Sequence, residues 1–263
     1  MPVFILLISS LLAAADWNPV ESEPKIVKNT LMDFSMTQVS PAGQYGFVQA
    51  APDGELYFEK KPDQKIRFYG GNITFGVNFP DKEQAVKLAD LFAAMGYNVI
   101  RFHHHDTVVP WSKSLYEISG DRISFIPDQA DRFDYLLSEL RKRGIYYFSD
   151  VICSSLIDKH PAFAKYGNNS KARKFLYHLT PEGRSLFLQI ATLFLTHVNP
   201  YTGLAYKDDP ALILLGLVNE DSPVNLTGAD KDEFSPELMN YVLGEFNAFI
   251  LKKYHAEPAA EFH

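Results

Sequence analysis

Apolar positions along this chain fall into two alternating periods. Short apolar runs, read as strands, are each followed by a stretch with apolar residues three and four apart, read as a helix. The first run is Ile73-Thr74-Phe75. Residues 81–95 then carry Ala85, Leu88, Leu91 and Phe92 at helical spacing, with Pro80 and Asp81 as start signal and Gly96 as stop. Residues 98–102 predict a second strand. Residues 130–143 predict a second helix, with Phe133, Leu136, Leu137 and Leu140 on one face and Gly144 after it. Residues 145–148 predict the third strand, and a long polar insertion follows through residues 159–174. Thr180-Pro181-Glu182-Gly183 opens a third helix to about His197, whose apolar stripe from Leu186 to Leu195 reads as core. Asn199 to Gly203 reads as a plain turn. Residues 211–218 predict a fourth strand, apolar throughout, as fits a parallel strand buried on both faces. Ser235-Pro236-Glu237 caps a fourth helix reaching about Tyr254.

Strands alternating with helices predict right-handed βαβ crossovers and a parallel sheet. A closed barrel of this kind needs eight units over roughly 250 residues. The expected fold is therefore α/β, of the (β/α)8 TIM-barrel type, with only the first four units present and a short N-terminal β-rich arm. A complete open α/β sheet is the alternative. Residues 16–65 form the arm. They are punctuated by Pro19, Pro24, Pro41 and Pro52, and end in a predicted hairpin of Leu56 to Phe58 and Ile66 to Tyr69 with its turn at Lys60 to Gln64. Residues 66–263 are assigned to the half-barrel.

The first fifteen residues read differently. Val3 to Leu12 is almost wholly apolar and Ala13-Ala14-Ala15 precedes Asp16. That is the pattern of a signal peptide over residues 1–15, cleaved after Ala15, and too short for a permanent span. The expected location is secreted or periplasmic, with no membrane anchor after cleavage. Asn-x-Ser/Thr sites at Asn72, Asn168 and Asn225 read as chance matches. The single cysteine, Cys153, permits no intrachain disulfide and reads as a buried thiol.

Composition narrows the partners. A formal net charge of −7 and no long basic run exclude the electrostatic footprint of a nucleic-acid binder. No Gly-x-Gly-x-x-Gly, Walker or Gly-x-Ser-x-Gly motif occurs, so no cofactor is expected and a serine-esterase elbow has no support. The sequence does not specify an oligomeric state.

In parallel barrels, functional groups collect at the C-terminal ends of the strands. Here every predicted strand ends in polar residues that a core does not require. The first leads to Asn78, the second to Arg101, His103, His104, His105 and Asp106, the third to Ser149 and Asp150, and the fourth to Asn219, Glu220 and Asp221. A carboxylate at the mouth of a low-dielectric barrel is expected to hold its proton more tightly, which suits Glu220 to general acid work on a glycosidic bond. The amide of Asn219 is placed to bind a sugar hydroxyl beside it. Asp150 either contacts substrate or holds Arg101 in an ion pair.

These residues resemble the retaining glycoside hydrolases of the (β/α)8 clan, and specifically family 5, the cellulase and mannanase family. The resemblance covers about residues 66–254. It implies that Asn219-Glu220 ends the fourth barrel strand with Glu220 as acid/base. It also implies that Arg101 in Asn98-Val99-Ile100-Arg101-Phe102 supports the charge and orientation of a nucleophile. The implied activity is hydrolysis of O-glycosyl bonds in a polysaccharide or oligosaccharide. The sequence departs from the family in two places. The third strand carries Asp150-Val151-Ile152 where the family often has a His. The family's nucleophile, a Glu on the seventh strand, has no counterpart here, and a retaining mechanism needs two carboxyl groups only ~5 Å apart. The chain is therefore expected to be a fragment, inactive alone.

Two other readings compete. In an extended strand His103 and His105 share a face, as in the metal site of an amidohydrolase-like barrel. Sugar contact and structural hydrogen bonding are the other roles open to His103, His104 and His105. A non-catalytic carbohydrate-binding protein is the third reading, with Trp111, Tyr116 and Tyr166 stacking on sugar rings. His197, near a helix end, is assigned to the macrodipole.

Overall fold

A computed structural model describes residues 26–154, 156, 160–166, 173–221 and 235–255. The proposed signal peptide and the sites at Asn168 and Asn225 lie outside these residues. Four strands form one parallel sheet in chain order: β4 (Gly70–Thr74), β5 (Val99–His103), β8 (Tyr146–Ile152) and β9 (Leu212–Val218). The connections carry α1 (Lys82–Ala94), α2 (Pro127–Lys142), α3 (Arg173–Leu179) and α4 (Pro181–Thr196), and α5 (Pro236–Tyr254) follows β9. This is the expected βα succession. Among the described residues no helix is long and apolar enough to cross a membrane.

Local chemistry sets the boundaries. Asp81 accepts from the Gln84 amide at 2.8 Å and Gln84 reaches back, a capping box at the start of α1. Thr180 caps α4 and Ser235 caps α5, each followed by a proline whose missing N–H costs nothing there. Along β5 the pleat divides the residues. Ile100 and Phe102 are fully buried under the helices, against Phe133, Tyr147 and their neighbours, whereas Arg101 and His103 face the other side. Phe102→Ala in such a core costs about 3–5 kcal/mol.

The N-terminal sheet joins β1 (Val48–Ala50), β2 (Leu56–Phe58) and β3 (Lys61–Ile66). The return strand of the hairpin thus occupies most of the segment expected to be its turn. The sequence Lys60 to Gln64 is polar because β3 is exposed, and polarity alone had read as a turn. Phe58 stacks on Tyr146 at 5.2 Å and Phe68 meets it edge-on at 5.6 Å, so this sheet lies by the N-terminal end of β8. Nearby, a Cβ at Gly144 would stand 2.6 Å from the Val39 carbonyl oxygen, and the residue has φ +78°. Only glycine closes α2 there.

Three further differences from expectation concern the site. A second hairpin, β6 (Tyr116–Ser119) and β7 (Arg122–Phe125), lies between β5 and α2. Part of the insertion after β8 is helical: a 3-10 stretch covers Pro161–Tyr166, and α3 starts at the insertion's end. Strand β9 is not buried on both faces: Leu214 and Leu217 are exposed. Among the described residues no strand pairs with its far edge, so an aliphatic run suited to a sheet interior stands at its border.

Candidate active site

The polar residues gather at the C-terminal ends of the four parallel strands. Asp150 is the hub. The sequence placed it beyond the third strand, but it lies inside β8, in register with Gly216 of β9, and is only 3% exposed. Its Oδ2 accepts from Arg101 Nη2 at 2.8 Å and Nε at 3.3 Å, and His103 Nδ1 lies 3.3 Å away. Of the two roles open to Asp150, the geometry gives the ion pair. The guanidinium also lies 4.8 Å over the Phe148 ring, which fixes its plane.

Arg101 reaches the fourth strand as well. Its Nη2 donates to Asn219 Oδ1 at 2.9 Å. The Asn219 backbone amide continues the ladder from β9 to Ile152 at 2.8 Å. Glu220 follows with φ +52°, a left-handed conformation that costs a side-chain-bearing residue free energy and tends to persist at functional sites. Phe75 and His104, at the ends of β4 and β5, share it with φ +54° and +52°.

The Glu220 carboxylate is 69% exposed. The dry barrel mouth expected from the sequence is therefore not built by the described residues, because four strands leave the concave face open on one side. Lys174, from α3, closes part of it. Its Nζ donates to the Asn219 carbonyl at 2.7 Å and stands 3.9 Å from Glu220 Oε2. Sequence reading missed Lys174, since it sits in a polar insertion with no motif around it. His178 of the same helix pairs with Asp221.

The three histidines separate. His103 turns to Asp150. His104 stacks parallel to Phe75 at 4.9 Å and its Nδ1 lies 3.1 Å from the Thr107 hydroxyl. Burial, and then the neighbouring His103, push its pKa below the ordinary value. His105 is fully buried, its Nε2 2.8 Å from the Asp150 carbonyl and its ring stacked on Phe194. The strand ends at His103, so the alternation that would put His103 and His105 on one face stops there. The His-x-His chelate is not formed.

The one group of potential metal ligands among the described residues is His103, Asp150 and Cys153, whose ligand atoms lie within 4.8 Å of one another. The Arg101 guanidinium already holds Asp150 Oδ2 there. Cys153 Sγ is 3.5 Å from the same oxygen. Burial, then the charges of Asp106 and Asp150, push that thiol far up, so it is a protonated donor. A cation would have to displace one positive charge and strip a proton from a buried thiol. Asp106 is engaged elsewhere, accepting from the Cys153 and Ser154 amides at 2.9 Å each. Asn78 ties β4 to β5 through the His103 carbonyl at 2.8 Å.

The aromatic residues sort by exposure. Trp111 is 73% exposed and free to meet a ligand, but Tyr116 and Tyr166 are buried, and stacking on sugar is excluded for both. Their rings pack on Phe125 and Tyr241 instead. His197 stands at the C-cap of α4, where its ring turns to the core: Nε2 lies 2.7 Å from the buried Asp134 carboxylate. A cleft of about 550 Å³ lies away from these strand ends, between the N-terminal segment and α1 and α2, lined by Lys28, Asp33, Lys87, Asp90 and Arg143 among others. It holds none of the strand-end groups.

Comparison of the sequence with family models gives no match, and comparison with curated proteins gives none either. Solved structures do match. An endo-1,4-beta-mannanase from Rhizomucor miehei aligns over 79% of this chain and 58% of its own, with a TM-score of 0.54 and 18% identity. A glycoside hydrolase family 5 mannosidase from Rhizomucor miehei, an E301A mutant, aligns over 78% of this chain and 53% of its own, with a TM-score of 0.50 and 17% identity. The chain thus spans little more than half the length of these two structures. Identity this low speaks for the fold alone, and that fold, over the βα units present here, is part of a (β/α)-barrel like that of these two structures.

Proposed function

We propose that this chain is the acid/base half of a secreted glycoside hydrolase that cleaves a polysaccharide or oligosaccharide with retention. The observation that carries this reading is the Asp150–Arg101–Asn219 chain of hydrogen bonds, which holds the residue before Glu220 at the end of the fourth strand. In this reading Glu220 protonates the leaving oxygen and then activates water. Asn219 binds a sugar hydroxyl, and Arg101 orients the second carboxylate. That carboxylate, needed ~5 Å from Glu220, belongs to the remaining βα units of a barrel, so the present four units alone do not turn over substrate. Trp111 supplies an exposed ring for a sugar face. His103, His104 and His105 line, buttress and anchor the second strand end.

The solved structures above are named as a mannanase and a mannosidase, so β-1,4-mannan is the first substrate to assay. The native protein, these four units together with the remaining βα units of the barrel, is expected to hydrolyse such a β-glycan, with Glu220→Gln reducing turnover by about a thousandfold or more. Proton NMR of the first-formed product is expected to show retained anomeric configuration. Full activity in Glu220→Gln would refute the assignment. Sugar binding without turnover, equal in wild type and Glu220→Gln, would instead support the carbohydrate-binding reading.

A further inference from the structure

Gly216 interrupts the otherwise aliphatic β9 and stands in register with Asp150. A Cβ at this position would lie 2.1 Å from Asp150 Oδ1, far inside van der Waals contact. The carboxylate thus occupies space that any other residue at 216 would fill. With Oδ1 seated there, Oδ2 faces Arg101 and His103. The rotamer of Asp150 therefore sets the guanidinium. The guanidinium in turn sets the Asn219 amide, because Nη2 donates to Asn219 Oδ1. Asn219 Nδ2 is left buried without a partner among the described residues, a donor aimed for an acceptor from outside them.

We propose that Gly216 and Asp150 are a positioning pair: the absent side chain at 216 seats the Asp150 carboxylate, and through Arg101 this presents the Asn219 amide donor to a ligand hydroxyl. Neither residue touches the reacting atoms. The consequence for turnover rests on the glycosidase reading above, whereas the geometric content does not.

The test is Gly216→Ala in the native protein. The new methyl meets the end of a flexible side chain, not backbone, so Asp150 turns away and the fold survives. The melting temperature is expected to fall by up to about 10 °C, as disturbing a buried ion pair does, with a cooperative transition retained. The Arg101 Nε–H resonance in nitrogen-15 NMR is expected to move from its carboxylate-bonded position. kcat is expected to drop about tenfold or more, with KM changed less than about threefold. Asp150→Ser removes the carboxylate, so adding Gly216→Ala to it is expected to change neither readout further. An unmoved resonance with unchanged kcat in Gly216→Ala, or additive effects of the two substitutions, would overturn the proposal. If Gly216→Ala does not fold, the double variant must fold; its failure would assign Gly216 to packing and refute the pair. If the wild-type protein carrying the remaining βα units cleaves no glycoside, the glycosidase reading fails, and the resonance in the two variants still decides for or against the pair.

Discussion

Arg101 sets both Nη2 and Nε against a single oxygen of Asp150, at 2.8 and 3.3 Å, from the neighbouring parallel strand. Asp150 is nearly inaccessible while Arg101 keeps some solvent contact. Removing the cation strands a buried carboxylate, which costs more than the pair contributes. Arg101→Ala is expected to lower stability by about 3 kcal/mol in urea unfolding. Arg101→Lys keeps the charge but not the planar fork. It is expected to lose less stability, yet to free Asn219 and lower kcat about tenfold with KM changed less than about threefold in the native protein.

Glu220 is held at φ +52° with its side chain in solvent. Glycine adopts that backbone without penalty. Glu220→Gly is expected to stabilise the fold by about 0.5–1 kcal/mol while abolishing hydrolysis by the native protein with its remaining βα units. Thermal unfolding beside a hydrolysis assay checks both. A destabilised glycine variant would show that the turn stores no strain.

His104 has its pKa lowered from an ordinary 6.5, chiefly by burial and next by His103. The unfolded chain then binds the proton more readily than the folded one. The stability from the neutral ring is complete above the unfolded value and declines as pH falls below it toward the lowered folded value. Wild-type melting temperature is therefore expected to drop on acidification through this window. His104→Asn, which also tolerates the left-handed backbone, is expected to drop less. Parallel melting curves for the two proteins would refute the assignment.

Cys153 is buried, and burial and the nearby carboxylates push its thiol upward. Since the thiolate is the nucleophile, a thiol-titrating disulfide reagent is expected to label it only after unfolding. Stoichiometric labelling of the native protein at neutral pH would show a more open β8 end.

Much of this was legible in the sequence. The strand and helix succession follows from apolar spacing, and helix starts at Asp81, Thr180 and Ser235 follow from capping chemistry. The β6–β7 hairpin was missed, although Glu117-Ile118-Ser119 and Arg122-Ile123-Ser124 alternate around Gly120-Asp121 and carry the signal. Tyr116 and Tyr166 show the limit of residue type, since an aromatic ring reads alike on a binding face and in a core. Lys174 was illegible because its partners at Asn219 and Glu220 lie more than forty residues away.

The sequence by itself determined the parallel βα order and the strand ends that bear Arg101, Asp150, Asn219 and Glu220, because both depend on local periodicity and on the short reach of backbone hydrogen bonding. Only the tertiary structure decided what those residues do to one another. It turned Asp150 inward to Arg101, sent His105 into the core and away from His103, and set the Asp150 carboxylate in the space Gly216 leaves. Those relations depend on strand register and side-chain direction between segments far apart in the chain, and pairwise packing fixes them only once the sheet has formed.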